Sequence, residues 1–447
     1  MECELLPFLT AYDPLGGKAG SVDPLGAMRS YGSLADLLLP GVTTITTRSR
    51  YLSMLCAALA NAEGQRSFLP GASGLAQRRK AIEPYERLWA LACVAAQRNG
   101  HDGAADGLRG ISYAEKSYHE LTASGRSASC DFPLLKSQSR TGAVGTYWTA
   151  LVGGDLIDDE TGELTDEGQE LAEQFPELPL DAKDRARLAD PEFARRVSIP
   201  LDDLVGWSEE CHLRAADRRE RQLLGDALTA DDRRLWVSRA LAGMAQKIPE
   251  IWDVPHLSLL GNALGKIAHA VDLGLPVLVE AVTVTEQFHE AVLMVFGTLL
   301  WWGTVHAGKP VADLASGSDF RKTYDHCRQT ALALVAFRNR CDRRDIRAAT
   351  DGLAEFCDQI GRCPTAIQLM KEVMDRHRLV QSGKVDGGLP KRDWVIWNDH
   401  ALLRPSPRFQ RTQRPAVAAG MALTHPYRLE SFVHMLRENT VLSHART

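Results

Sequence analysis

Leu37-Leu38-Leu39-Pro40-Gly41-Val42-Thr43-Thr44-Ile45-Thr46-Thr47-Arg48-Ser49-Arg50-Tyr51 reads as a helix end, a sharp stop, an extended crossing and a new helix. Ser33 caps the first helix with Asp36 three residues on, and Pro40, which has no N–H to donate, ends it. After the β-branched crossing, Leu52, Leu55, Cys56 and Leu59 recur at helical spacing, so a second helix is expected from about Thr47. Arg48 and Arg50 fall in its first turn, where free N–H groups and the helix dipole already present positive potential. An anion belongs there. It is either a phosphate or nucleotide backbone, clamped by Thr46, Thr47, Arg48 and Arg50, or one of the protein's own carboxylates, with Asp13, Asp23 and Asp36 nearest in sequence.

The chain is 447 residues long, 45% hydrophobic and 24% charged, enough for two or three globular domains. Its net charge of −5 excludes a surface coated by nucleic acid, so any such contact is local. Arginines number 40 against 12 lysines, a bias that either reflects a GC-rich genome or suits the planar phosphate fork. Nine cysteines without a CxxC pair fit free thiols in a reducing cytoplasm. The acidic start, Met1-Glu2-Cys3-Glu4, does not resemble an export signal. The longest apolar run, residues 291–302, is too short for a membrane span and reads as a core helix, so no membrane partner is expected.

Outward from the box, the tetrapeptide Asp-Pro-Leu-Gly occurs at residues 13–16 and 23–26. Aspartate before proline favours a turn; Asp13 and Asp23 either tie down the N-terminal arm or serve as catalytic or metal-binding carboxylates. A helix is expected at 83–97 between glycine-rich connections, preceded by Arg78-Arg79-Lys80, read as a solvated patch. Residues 144–175 run helix, short strand, turn at 158–162, short strand, helix, an order similar to a winged helix. Yet residues 155–184 hold twelve acidic residues and one lysine. That charge opposes DNA contact and suits packing or a protein partner.

Beyond Pro200 helices are expected at 207–224, 257–273 and 282–302, with Trp236, Trp252, Trp301 and Trp302 filling the core. Arg340, Arg343, Arg344 and Arg347 at i, i+3, i+4 and i+7 stack on one helix face, for a nucleic acid or for the acidic 155–184 segment. From Lys391 to Arg414 basic residues, among them Arg408 and Arg411, alternate with Trp394, Trp397 and Phe409, as in a single-strand binder or an anchored loop. Cys327, Cys341, Cys357 and Cys363, with His326 and His377, lack zinc spacing, so neither metal nor cofactor is expected. A mainly α fold follows, with a multi-helix core and a small winged-helix-like α/β insertion. Its expected divisions are 1–130, 131–180, 181–382 and 383–447.

The box "LLLPGVTTITTRSRYLSML" resembles one in a large, poorly characterised family of bacterial proteins. There a helix ending in Leu/Phe-Pro-Gly leads to a Thr/Ser-rich turn, an Arg-x-Arg-Tyr and an apolar helix. The resemblance spans about residues 20–60 and implies a setting, genomic islands of anti-phage defence and DNA processing, without a catalytic assignment. Three functions are then weighed: a DNA-binding component of defence, an enzyme on DNA, and a scaffold without nucleic acid. Walker, zinc-deaminase and His-Asp metal motifs are absent, so the enzyme reading narrows to a glycosylase or lyase on phage DNA. It would use Asp23 or Asp13 as carboxylate, Arg48 and Arg50 as phosphate clamps and Tyr51 as stacking wall.

Overall fold

The computed structural model describes residues 23–43, 45, 47–65, 67–125, 127–247, 257–386, 389–398, 402–415 and 428–439. Asp13, Thr46 and Trp252 lie outside them. Among the described residues the protein is mainly helical, 68% helix against 4% strand, so helix packing decides the architecture. The helices that carry the argument are Met28–Leu38 (α1), Arg50–Gln65 (α2), Gly71–Arg98 (α3), Ala143–Gly153 (α4), Asp166–Gln174 (α5), Leu201–Cys211 (α6) and Arg218–Leu228 (α7). They continue with Leu275–Val305 (α8), Ser318–Arg340 (α9), Arg344–Ala349 (α10), Asp351–Arg362 (α11), Ala366–Ser382 (α12) and Leu429–Glu438 (α13). Among the described residues strands form short antiparallel ladders, the longest pairing Val395–Trp397 with Leu403–Pro405. Two compact units result, each assembled from segments distant in sequence: Met1–Leu38 with His256–Tyr427, and Leu39–Pro255 with Arg428–Thr447.

In the first unit α8 is the central helix. Phe288, Val292, Val295, Phe296 and Leu299 bury themselves against Phe320 and Leu334 of α9, Phe356 and Ile360 of α11 and Met370 and Val373 of α12. Among the described residues α8 alone is long and apolar enough to cross a membrane, and 67% of its most apolar window is buried within the protein. α1 starts five residues before the expected Ser33, because Asp23 supplies the cap: its two carboxylate oxygens accept from Ala27 N at 2.9 Å and Met28 N at 3.0 Å. Ser33 lies inside the helix. The three carbonyls that follow are each held by a basic side chain. Asp23 O accepts from Lys384 Nζ, Pro24 O from His377 Nδ1 at 2.9 Å, and Leu25 O from Arg376 Nε at 2.9 Å. His377 Nε2 accepts from Trp394 N, so its proton is on Nδ1. Gly26 sits at φ +74°, and a Cβ there would be 2.7 Å from Val380.

The second unit packs Tyr51, Leu55 and Leu59 of α2 against Leu88 and Trp89 of α3, Tyr147 and Leu151 of α4 and Leu171 of α5. α3 is longer than expected, beginning at Gly71 and running through Pro84. Arg78 is no solvated patch: its buried guanidinium joins Glu63, Glu163 and the Thr161 carbonyl, clamping the 157–164 turn to α3. In that turn the two expected strands reduce to one antiparallel bridge, Ile157 with Leu164. Asp158 accepts from the Glu160 and Thr161 N–H groups, and Thr165 caps α5. The helix expected at 207–224 breaks after Cys211, because Asp217 starts α7 by accepting from Glu220 N at 2.7 Å.

Candidate anion-binding cleft

The box builds a site at the N-terminus of α2. Arg50 turns inward and is 2% exposed, with its partner Glu220, 1% exposed, on α7. Nε and Nη2 grip the two Glu220 oxygens at 3.1 and 3.0 Å, and the remaining N–H groups reach the carbonyls of His212 and Glu210. Burial raises the Glu220 carboxyl, and Arg50 opposes that rise. The neighbouring His212 is pushed down to about 4 by burial first, then by Arg50, His101 and Arg214. Its Nδ1 accepts from Arg214 N at 3.2 Å, as a neutral imidazole does.

Arg48 turns the other way. Its Nη1 donates to Glu438 Oε1 at 2.5 Å, while Glu438 Oε2 accepts from Ser49 N at 3.0 Å and Ser49 Oγ at 3.1 Å. The loop between α3 and the next helix provides the bed. Gly107 (φ +82°) would place a Cβ 2.9 Å from Arg48 Nε, and Gly103 (φ +74°) would place one 2.3 Å from the Arg214 guanidinium. Both must stay bare for the two arginines to lie flat. Leu213 N donates to Ala104 O at 3.2 Å, tying this loop to the strand of chain that carries Arg214.

Around these groups opens a cleft of about 630 Å³, within the range of ligand sites. Arg48, Arg50, Arg214, Arg221 and Arg437 line it, with His434 and one carboxylate, Glu438. Asp106 meets Arg214 at 3.2 Å from the outer side, and Arg221 has no ion-pair partner among the described residues. His434 is held below its ordinary value by burial first; Glu438 opposes this, while Arg48, Arg437 and Arg214 add to it. Among the described residues no Phe, Tyr or Trp lines the cleft.

The other expected site residues are placed elsewhere. Tyr51 is no stacking wall: its fully buried ring stacks on Tyr147 at 4.5 Å, and its hydroxyl accepts from Arg109 N at 2.8 Å. Thr47 is half-buried and outside the cleft. Asp23, in the first unit, spends both oxygens on α1 and does not pair with Arg48 or Arg50; the acids that do, Glu438 and Glu220, are distant in sequence. The four arginines expected on one helix face are split, since α9 ends at Arg340 and α10 starts at Arg344. Arg340 pairs with Glu280, and Arg343 with Asp345 at 3.0 Å and the Leu273 carbonyl. Arg344 and Arg347 are exposed. In the basic and aromatic segment, Trp394 stacks on Phe409 at 4.2 Å, Arg408 lies over Phe409 and Arg414 pairs with Asp319. Exposed Arg411 is held through its backbone N–H by Thr304. Cys327, Cys341, Cys357 and Cys363 are buried thiols, and no group of metal-binding side chains converges among the described residues.

Sequence reasoning missed Gly103, Gly107, Arg214, Arg221, Glu220 and the C-terminal His434, Arg437 and Glu438. Two signals were available: glycines four apart in a short loop, and the i, i+3, i+4 spacing on the last helix. Set against family models, curated proteins and solved structures, the chain matches none, and the arginine cleft is where a functional reading starts.

Proposed function

We propose that the chain is a nucleic-acid-binding protein that holds the phosphate backbone in the arginine cleft of the second unit. The observation that carries this is one open volume lined by the N-terminus of α2 and by Arg48, Arg214, Arg221 and Arg437, with Arg50 sealed behind them on Glu220 and with Glu438 as the lining carboxylate. Such a set is suited to phosphate oxygens. Without an aromatic platform it reads the backbone and not the bases, so binding is independent of sequence and strongly salt-dependent. Base excision draws less support, because Tyr51 is sealed in the core and Asp23 is a helix cap. The bacterial anti-phage setting and a cytoplasmic location accompany the proposal. So does a winged-helix-like role for residues 143–174, whose acidic surface would meet a protein partner and leave DNA to the cleft.

The test is fluorescence anisotropy with a labelled 20-nucleotide strand and its duplex over a salt series. Wild-type protein should bind both. Arg221→Ala with Arg437→Ala should weaken binding and reduce the salt slope by about 1.5, the contribution of two phosphate contacts. Unchanged affinity in that double variant would sink the proposal.

A further inference from the structure

A second pocket, of about 350 Å³, lies between α2 and α5. Ala57, Ala60, Asn61 and Gln65 line it from α2 at i, i+3, i+4 and i+8, and Gln169, Ala172 and Glu173 from α5 at i, i+3 and i+4. The alanines leave the gap that larger side chains would fill. Tyr85 of α3 and Phe175 complete the lining, with 3% and 5% of their surface exposed. Among the described residues the Tyr85 hydroxyl has no hydrogen-bond partner, and it is not sealed off from solvent. Burial pushes this phenol up, so it stays protonated, both donor and acceptor. A hydroxyl so deeply set with no partner in the protein calls for one from a ligand. On the rim the carboxamides of Asn61, Gln65 and Gln169 are likewise unengaged among the described residues.

We infer that this pocket binds an uncharged nucleobase, as the free base or its nucleoside. Arg185 is the one cation among the described lining residues, and Glu177 already pairs with it, while Glu173 has no cation partner; a phosphate is therefore repelled. A hydrocarbon would strand the Tyr85 hydroxyl without water or partner. An ammonium group would be desolvated against alanine and aromatic carbon, with both carboxylates on the exposed rim. A sugar carries hydroxyls around its whole ring, and the alanine floor offers them nothing. A nucleobase has apolar faces and an edge of donors and acceptors, the kind of edge that carboxamides pair with. Its faces suit the alanine methyls and Phe175, and its edge suits Tyr85 and the carboxamides. The pocket shares no residue with the arginine cleft. Phosphates flanking a base within a strand would meet Glu173 and Glu177, so the ligand is a free molecule and the backbone-binding reading stands apart from it.

The experiment titrates the full chain with adenosine, guanosine, cytidine and uridine by ligand-observed NMR, beside their 5′-monophosphates and ribose. At least one nucleoside should bind with a Kd of about 0.1–1 mM, its monophosphate about fivefold more weakly, and ribose not at all. Tyr85→Phe keeps the ring, removes the hydroxyl and should weaken that nucleoside about fivefold. Gln169→Ala, on exposed helix surface, should weaken it in the same direction and serves if Tyr85→Phe does not fold. The inference is overturned if no nucleoside binds at about 1 mM, if ribose or the monophosphate binds as tightly as the nucleoside, or if both variants bind like wild type. None of these outcomes bears on the strand reading, which Arg221→Ala with Arg437→Ala tests by itself.

Discussion

Around Asp23 in the first unit, three basic side chains meet three successive backbone carbonyls. Around Arg48 in the second, five arginines meet carboxylates and an open cleft. Both regions join parts of the chain more than 350 residues apart. They differ in what the donors meet. A carbonyl fixed in a turn cannot leave, so Lys384, His377 and Arg376 are committed to the fold. A side-chain carboxylate is within reach of solvent ions at Glu438, 20% exposed, and is cut off from them at Glu220, 1% exposed. The same arginine-carboxylate chemistry is therefore sealed at Arg50 and reached by solvent at Arg48.

The largest expected effect breaks the sealed pair. Arg50→Ala leaves Glu220 buried without its cation, and should cost about 3–5 kcal/mol, seen as a large drop in the unfolding midpoint of the second unit. If Arg50→Ala unfolds normally but loses nucleic-acid binding, Arg50 belongs with the cleft and the distinction fails.

Glu86 sharpens the comparison from the carboxylate side, since it is fully buried with only neutral donors in contact. Ala143 N and Gln138 Nε2 each donate at 2.7 Å, and burial still pushes the group up to about 7. The folded value lies above the unfolded one, near 4.3, so this group's contribution is fully present below about pH 4 and is lost as pH rises through 7. The span is roughly 4 kcal/mol at most. Urea unfolding of wild type and Glu86→Gln across pH 4–8 should therefore diverge in slope. Parallel curves would mean Glu86 is ionised throughout at no cost.

A smaller effect belongs to the turn. Asp23→Ala removes the cap of α1 and should destabilise the first unit by about 1 kcal/mol, measurable by thermal melting, while Asp23→Asn retains part of it. Strand binding by the cleft should not change. A loss of binding without a loss of stability would restore Asp23 to the site.

These contrasts also mark what could be read in advance. Pro40 ended a helix and Leu52, Leu55 and Leu59 faced the core as their spacing required, because those signals are local. That an anion belonged beside Arg48 and Arg50 followed from helix electrostatics, also local. Which acid it was did not follow: Glu220 and Glu438 are brought there by packing of α7 and α13, and no spacing announces it. The break between Arg340 and Arg344 failed for a related reason. Helical periodicity continued through it, while Arg343 is drawn to the Leu273 carbonyl and Asp345, beside a bare Gly274 at φ +73°. The Asp23 cap was legible in kind, since Asp-Pro-Leu-Gly is a turn, but Ser33 competed as the nearer capping residue.

The smallest expected effect on stability decides whether the cleft is more than an ion-pair knot. Arg221 has no ion-pair partner among the described residues, and both it and Arg437 line the cleft. Partly exposed arginines in such positions contribute little to folding, so replacing both by Ala should shift stability by no more than about 0.5 kcal/mol. If the cleft were a structural ion-pair knot, removing them would lower the melting temperature without changing any binding. If it holds phosphate, stability stays level while affinity and its salt slope fall together. Measuring melting temperature and salt slope on the same double variant separates the two, because ion pairing acts on the free protein and counterion release only on the complex.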